Sequence, residues 1–213
     1  MQSIEKEKVV NSIGMISELM KENKKYLIEI DSKLGDGDLG LTMSKAFRAA
    51  KKSAEQNSEE TIGNILKKAG IAMAMAAPST MGTLMATAFM AAGEELGDAK
   101  RIGVPQIQKI FLSMAGAVAA RGKAQEGDKT LLDVLYPVSR AVATYGDQDI
   151  VECMELAYHA ARDGMEHTKE LMNQHGKAAV FREKSLGLVD PGAAAAYIMI
   201  EGFYEGFIQE NEH

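Results

Sequence analysis

Apolar residues recur every three or four positions along almost the whole chain, which is the spacing that places them on one face of an α-helix. The first such stretch runs from about Ile4 to Lys24 and carries Val9, Ile13 and Ile16 on one face. Seven further stretches follow, and residues typical of turns or helix caps separate them. They begin near Thr42, after Ser58-Glu59-Glu60, after Thr83, and near Pro105, Leu131, Ile150 and Pro191. The pattern therefore predicts an all-α protein of eight helices that forms a single domain over residues 1–213.

Mostly short connections between long helices favour an antiparallel up-and-down arrangement. In such an arrangement the first, third, fifth and seventh connections emerge at the same end of the molecule. These four connections are the segments 31–40, 78–83, 121–130 and 173–190. Each leads into a helix N-terminus, where unpaired N–H groups and a partial positive charge suit phosphate. We therefore expect the four segments to converge on one site.

The segment Asp31–Gly40 carries the most unusual chemistry, because Asp31, Asp36 and Asp38 fall within eight residues. Glycines lie between and after them, which indicates a tight turn. Two carboxylates about 4 Å apart repel by roughly 1 kcal/mol in water, and more in a partly buried site. A hard divalent cation reverses that repulsion, and Mg²⁺ prefers carboxylate oxygens and shares itself with substrate phosphates. The segment therefore predicts a site for Mg²⁺ and phosphate.

Other interpretations of the same segment are weaker. Gly35, Gly37 and Gly40 match the dinucleotide fingerprint, but that motif requires a strand before it, and the chain offers almost none beyond a possible Tyr26–Ile30. The P-loop spacing also occurs, with Leu41 where a phosphate-binding lysine is required. An EF-hand that begins at the second aspartate would lack its fifth and twelfth ligands. A plain acidic loop that caps a helix is the remaining alternative.

Composition narrows the function classes. Hydrophobic residues make up 46% and charged residues 25% of the chain, the balance of a soluble globular domain. The net charge of −6 argues against nucleic acid as a partner, and no apolar run is long enough for a membrane span. A single cysteine, Cys153, excludes an internal disulfide and suits the cytoplasm. We expect His159 and His167 to be structural or exposed and His175 and His213 to be mobile, so no histidine has the context of a phosphocarrier.

The three later segments offer weaker candidates, each with an ordinary structural alternative. Thr80 lies at a predicted helix start, where it could present a hydroxyl to a nucleotide or only cap the helix. Lys177 could place a cation over a transferring phosphoryl group or remain a surface lysine. The side chain of Lys129 is expected to be solvated. Asp190 predicts a helix cap, with Pro191 in the first turn.

Four motifs lie in order along the chain. They are Asp-x-x-x-Gly-Asp-Gly-Asp-x-Gly at 31–40, Ser-Thr-Met-Gly-Thr at 79–83, Arg-Gly-Lys-Ala-x-x-Gly-Asp-Lys-Thr-x-x-Asp at 121–133 and Asp-Pro-Gly-Ala at 190–193. Together they resemble the nucleotide-binding L subunits of dihydroxyacetone kinases, over nearly the whole chain. The resemblance implies an eight-helix antiparallel barrel that binds ADP or ATP at one end, with two Mg²⁺ ions held by Asp31, Asp36 and Asp38. The positions that it assigns to the nucleotide are Leu39, Gly40, Leu41, Thr42, Thr80, Met81, Gly122, Leu131, Lys177, Asp190, Pro191 and Gly192.

The resemblance also implies that the reaction is divided between proteins. In members linked to the phosphotransferase system, a phosphohistidine protein phosphorylates the bound ADP, and the phosphoryl group then passes to dihydroxyacetone on a separate K subunit. The chain departs from the family pattern at Leu39, where His is usual, and at Lys177, where Arg is usual, which leaves the acceptor open between trioses and tetroses. The alternatives are a non-catalytic nucleotide sensor that binds a transcription regulator, the nucleotide domain of a fatty-acid kinase, and an acidic helical scaffold.

Overall fold

The computed structural model describes residues 1–58 and 60–209, without the side chains of residues 177, 178 and 181. These residues are mostly helical, which confirms the all-α prediction. Their nine α-helices are α1 Lys6–Glu22, α2 Lys24–Asp31, α3 Leu39–Gln56, α4 Ile62–Ala76, α5 Thr80–Leu96, α6 Val104–Gly122, α7 Leu132–Ala143, α8 Ile150–His167 and α9 Pro191–Ile208. Short 3₁₀ segments, Thr168–Glu170 and Lys177–Ser185, follow α8. Among the described helices, none has the length and apolar character that a membrane crossing requires.

A short helix that was not predicted, α2, follows the first predicted helix, so the count rises from eight to nine within the described residues. α1 ends at Glu22, and Asn23 adopts φ −81° and ψ 5° while its Nδ2 donates to the carbonyl of Leu19 at 3.0 Å. Asparagine side chains compete with the helix backbone in this way. The chain then continues as α2, so the possible strand at Tyr26–Ile30 is wrong. α2 ends on Asp31 and therefore carries the first aspartate of the acidic segment on its last turn.

Polar side chains act as N-caps at the start of several helices, where they accept hydrogen bonds from backbone N–H groups. Oδ2 of Asp190 accepts the N–H of Ala193 at 2.8 Å, and Pro191 occupies the first turn, which confirms the predicted start of α9. Before α4 the cap is Thr61. The cap predicted at Ser58-Glu59-Glu60 is therefore wrong, and the middle residue of that stretch lies outside the described residues.

Eight of the described helices form a closed ring, in which each packs against its neighbours in the order α1, α3, α4, α5, α6, α7, α8, α9 and back to α1. The short α2 lies against α3 and α9. Because mostly short connections join successive helices, neighbours run antiparallel. Phe89 of α5 contacts Phe47 of α3 and Phe203 of α9, with ring centroids 5.7 and 6.0 Å apart. These helices are not adjacent around the ring, so the contacts cross its interior. The predicted antiparallel barrel is confirmed, and it has a packed core.

The two ends of the barrel differ. At one end, which we call the β-ladder end, Ser3–Glu5 (β1) pairs antiparallel with Arg101–Gly103 (β2). The helix predicted from about Ile4 therefore begins two residues later, after β1. The N–H of Ile150 donates to the carbonyl of Met1 at 2.8 Å, so the start of α8 also lies here. The opposite end carries the connections α2–α3, α4–α5, α6–α7 and α8–α9, and we call it the pocket end.

Candidate functional site

The four connections at the pocket end surround one pocket of about 320 Å³, which confirms that they converge. The residues that line it are Asp31, Leu34, Gly35, Asp36, Asp38, Leu39, Ser79, Thr80, Met81, Leu84, Lys129, Thr130, Leu131, Asn173, His175, Gly176, Asp190, Pro191 and Gly192. A larger cavity of about 580 Å³ lies between α7 and α8, but it contains none of the predicted site residues, and the ion pair of Arg140 with Glu126 lies in its wall. The smaller pocket is the candidate site, because it gathers polar groups from all four connections.

Three carboxylates lie together in the pocket wall. Asp31, Asp36 and Asp38, which we call the acid trio, each place one carboxylate oxygen within 4.8 Å of the others. The backbone allows this approach because Gly37 adopts φ +70°, a conformation that favours glycine. Gly35 is needed for its small size, since a Cβ there would lie 2.3 Å from Oδ1 of Asp31. The three predicted metal ligands are thus brought together by the local turn.

The acid trio is electrostatically costly without a cation. Burial raises the pKa of the Asp31 carboxyl, and the charges of Asp36 and Asp38 act in the same direction. The N–H of Leu39 donates to Oδ2 of Asp31 at 3.2 Å and opposes the shift. Mg²⁺ favours oxygen ligands and commonly takes one or two carboxylates together with water and substrate phosphates. A set of carboxylates with no nitrogen or sulfur donor therefore fits Mg²⁺.

A buried lysine supports another wall of the pocket. Lys129 is 1% exposed, and its Nζ donates to the backbone carbonyls of Leu171, Ser185 and Leu188 at 3.1, 2.5 and 2.7 Å. The prediction of a solvated side chain is therefore wrong. Burial lowers the pKa of Lys129. The three carbonyls come from both ends of the long α8–α9 connection, so the lysine ties that connection to the segment before α7.

Asp190 and Asn173 lie side by side in the same wall. Burial raises the pKa of Asp190 to about 6, against the lowering effect of the Ala193 N–H. Nδ2 of Asn173 donates to the carbonyl of Lys129 at 3.1 Å and to Oδ1 of Asp190 at 3.3 Å. Because both partners are acceptors, they determine which end of the amide is the NH₂ group. Oδ1 of Asn173 is then a buried acceptor without a hydrogen-bond partner among the described residues. Such an acceptor fits a ligand with N–H or O–H donors, as a nucleotide has.

Most of the predicted nucleotide contacts lie in this pocket. Those that line it are Leu39, Thr80, Met81, Leu131, Asp190, Pro191 and Gly192. The stretch Gly40–Thr42 forms the first turn of α3 without lining the pocket, and Leu41 is 53% exposed. Gly122 ends α6 beside Leu84, which does line it. The side chain of Lys177 lies outside what the structure describes. Contact of all these positions with a nucleotide stays a prediction.

Several pocket residues have little signal in the sequence. Asn173 and His175 fall in a long connection. The predicted convergence of alternate connections indicates which segments meet at the site, but not which side chains of those segments line it. The carbonyls that bond Lys129 belong to residues 42 to 59 positions away. His175, expected to be mobile, lies in the pocket wall with Nε2 2.8 Å from Oδ2 of Asp128. His213 lies outside the described residues.

Comparisons with known proteins agree with this geometry. The family model described as the DAK2 domain matches residues 33–205. The chain is 27% identical over 201 residues to the PEP-dependent dihydroxyacetone kinase, ADP-binding subunit DhaL, of Escherichia coli, covering 93% of this chain and 96% of that protein. It is 31% identical over 201 residues to the L-erythrulose 1-kinase of Mycolicibacterium smegmatis, covering 92% of this chain and 35% of that enzyme.

A solved structure has the same fold. The crystal structure of the dihydroxyacetone kinase from C. freundii in complex with AMP-PNP and Mg²⁺ matches with a TM-score of 0.70 at 24% identity, over 92% of this chain and 33% of that chain. The helical barrel is thus a fold found as one part of a larger kinase. The chain belongs to the DAK2 domain family, because the family model covers well over half of it. The relatives are named as dihydroxyacetone kinase subunits and erythrulose kinases, so this is a family of kinases.

Proposed function

We propose that this chain is the nucleotide-binding subunit of a dihydroxyacetone-type kinase and that it acts through Mg²⁺-bound ADP and ATP. The observation that supports this most strongly is that the acid trio and the starts of α5 and α9 surround one pocket. Relatives named as ADP-binding subunits support the choice of nucleotide. The chain acts as a single domain in the cytoplasm, a compartment that suits its buried, free Cys153.

Each part of the pocket has its own role in this proposal. The acid trio would hold two Mg²⁺ ions, which would supply positive charge to balance the charge that develops on the phosphates. Thr80 and Gly192 lie in the first turns of α5 and α9, whose N–H groups suit phosphate oxygens. Asn173 offers its unpaired Oδ1 to a donor of the nucleotide. Lys129 keeps the α8–α9 connection in place around the ligand.

The phosphoryl acceptor in this proposal is a small keto-sugar on a partner K subunit, and a phosphohistidine protein of the phosphoenolpyruvate-dependent phosphotransferase system is the donor. A relative from Lactococcus lactis is named as the ADP-binding subunit of a PTS-dependent dihydroxyacetone kinase, which supports this donor. Relatives named for dihydroxyacetone, a triose, and for erythrulose, a tetrose, support either sugar as acceptor. Turnover with both partner proteins distinguishes a kinase subunit from a nucleotide sensor.

Calorimetric titration with ADP tests the proposed site. We expect ADP to bind in the presence of Mg²⁺ and not in EDTA, because the metal joins the carboxylates to the phosphates. Asp36→Ala should weaken binding by at least about tenfold, since it removes a ligand of the metal. Asp147→Ala changes an exposed aspartate next to α8 at the β-ladder end and should bind ADP like the wild type. Equal ADP affinity in Asp36→Ala and the wild type would contradict the proposal.

A further inference from the structure

A histidine and an aspartate without a role in the account above lie at the pocket. His175 lines it, and Nε2 of the ring lies 2.8 Å from Oδ2 of Asp128. The His175 side chain is 38% exposed, whereas that of Asp128 is 15% exposed. An ionised carboxylate only accepts hydrogen bonds, so Nε2 donates in this pair, and Nδ1 becomes a second donor when the ring is protonated. The pair therefore presents a titratable donor at the pocket.

Neighbouring hydrogen bonds fix the position of His175. The N–H of Gln174, the residue before it, donates to the carbonyl of Asp128 at 3.1 Å. Nδ2 of Asn173 donates to the carbonyl of Lys129 at 3.1 Å and joins the same two segments. The imidazole thus occupies a place that the backbone determines, and its own bond to Asp128 sets the orientation of the ring.

The charges of the pocket explain why a protonated imidazole matters there. The acid trio and Asp190 line the pocket, and Asp128 lies beside His175. Besides His175, Lys129 is the cationic residue among the pocket-lining residues whose side chains the structure describes. Its Nζ already donates to three backbone carbonyls. Among the pocket-lining side chains that the structure describes, His175 is therefore the one that can become positively charged and still donate a hydrogen bond to a ligand.

We propose that His175, oriented by Asp128, donates a hydrogen bond to a phosphate oxygen of the bound nucleotide when its imidazole is protonated. This inference rests on the proposed nucleotide-binding function, and it adds that nucleotide affinity is linked to proton uptake at His175. Charge-assisted hydrogen bonds to phosphate are about twice as strong as neutral ones, so affinity rises as the ring gains its charge. Asp128 is a positioning residue, because it acts through the imidazole.

The pH dependence of ADP affinity tests this inference. ADP with Mg²⁺ is titrated into wild type and His175→Gln from about pH 5.5 to about pH 8.5, the range in which histidine titrates, in two buffers of different ionisation heat that report proton uptake. Relative to the variant, the wild type should gain about tenfold in affinity at the acidic end, which corresponds to a shift of one pH unit in the titration of the ring on binding. His159→Gln removes an exposed histidine of α8 outside the pocket and should follow the wild type.

A second variant tests the positioning role. Asp128→Asn keeps an acceptor for the ring and for the N–H of Gln125, but a neutral amide accepts a weaker hydrogen bond from the imidazolium than a carboxylate does. Its gain in ADP affinity at the acidic end should therefore be smaller than that of the wild type, because the ring is less firmly oriented. Identical pH profiles for the wild type and His175→Gln would overturn the role of His175 while leaving nucleotide binding intact. Failure of the wild type to bind ADP with Mg²⁺ at any pH would overturn the proposed function and this inference together.

Discussion

Asp190 makes the stability of the pocket end depend on pH. Its carboxylate caps α9 from a buried position, and burial raises its pKa to about 6 from an ordinary value of 3.8. Between those values the folded protein keeps a proton that the unfolded chain has released. The contribution of this group to stability is therefore greatest below about pH 4 and falls as the pH rises to about 6. A difference of about two pKa units corresponds to about 3 kcal/mol.

Asp190→Asn should remove this pH dependence, because an amide does not titrate while its oxygen still accepts the N–H of Ala193. Between about pH 4 and about pH 7 the free energy of unfolding should fall by up to about 3 kcal/mol more in the wild type than in the variant. Urea denaturation at several pH values measures the difference. The changed contact with Asn173 adds a constant offset and does not alter the slope. Parallel curves for the two proteins would show that Asp190 titrates normally.

Lys129 shows why part of the pocket could not be predicted from the sequence. Its neighbours Gly127, Asp128 and Thr130 have the composition of a solvated loop. The groups that bury its ammonium are backbone carbonyls 42 to 59 positions further along, and any residue type could supply them. The acid trio is the opposite case. Its carboxylates come from one short turn, so residue type and spacing alone predict that they meet.

At the scale of the helices, α1 and α9 close the ring through two glycines. A Cβ on Gly202 would lie 2.7 Å from Cα of Ile16, and a Cβ on Gly206 would lie 2.5 Å from Cα of Ser12. Residues four apart lie on one face of a helix, so the two contacts follow a single face of each partner. Real Cβ atoms do not approach backbone this closely, and a side chain at either position would push the two helices apart.

Gly202→Ala is expected to lower the free energy of unfolding by about 1–3 kcal/mol, because overpacking outweighs the gain in helix propensity. Gly116→Ala in α6 is the matched control. A Cβ there would meet nothing within 4 Å, so the change should raise the free energy of unfolding by up to about 1 kcal/mol. Urea denaturation of both variants measures the contrast. A higher free energy of unfolding in Gly202→Ala than in the wild type would contradict this, because it would mean that α1 and α9 can move apart without loss of stability.

The long helices could be predicted because their apolar spacing repeats over several turns. α2 has only eight residues, which show the period too briefly to distinguish a helix from a strand. The strands β1 and β2 have three residues each, and they pair Ser3 with Gly103 far along the chain. That pairing depends on closure of the barrel rather than on local propensity, so no local pattern indicates it.

In the whole molecule, the candidate binding chemistry lies at the pocket end, whereas apolar side chains pack at the β-ladder end and through the interior of the barrel. At the β-ladder end Ile4 and Ile102 lie opposite each other in the strand pair, 2% and 3% exposed. At the pocket end the acid trio and Asp190 gather negative charge in a protein whose net charge is already −6. Apolar burial stabilises the fold, whereas clustered like charges reduce its stability until a cation binds. Substitutions at the two ends should therefore affect different properties.

Ile4→Ala and Asp36→Ala test this separation as a pair. Ile4→Ala removes a buried side chain and should lower the free energy of unfolding by about 2–5 kcal/mol, while ADP affinity stays at the wild-type value in conditions where the variant is folded. Asp36→Ala should lose ADP affinity but change the free energy of unfolding by no more than about 0.5 kcal/mol, because the side chain is exposed and its removal relieves repulsion. Urea denaturation and calorimetric titration of both variants give the four values. A loss of ADP affinity in folded Ile4→Ala would mean that the strand pair and the acid trio are coupled through the barrel, since no described residue of β1 lines the pocket.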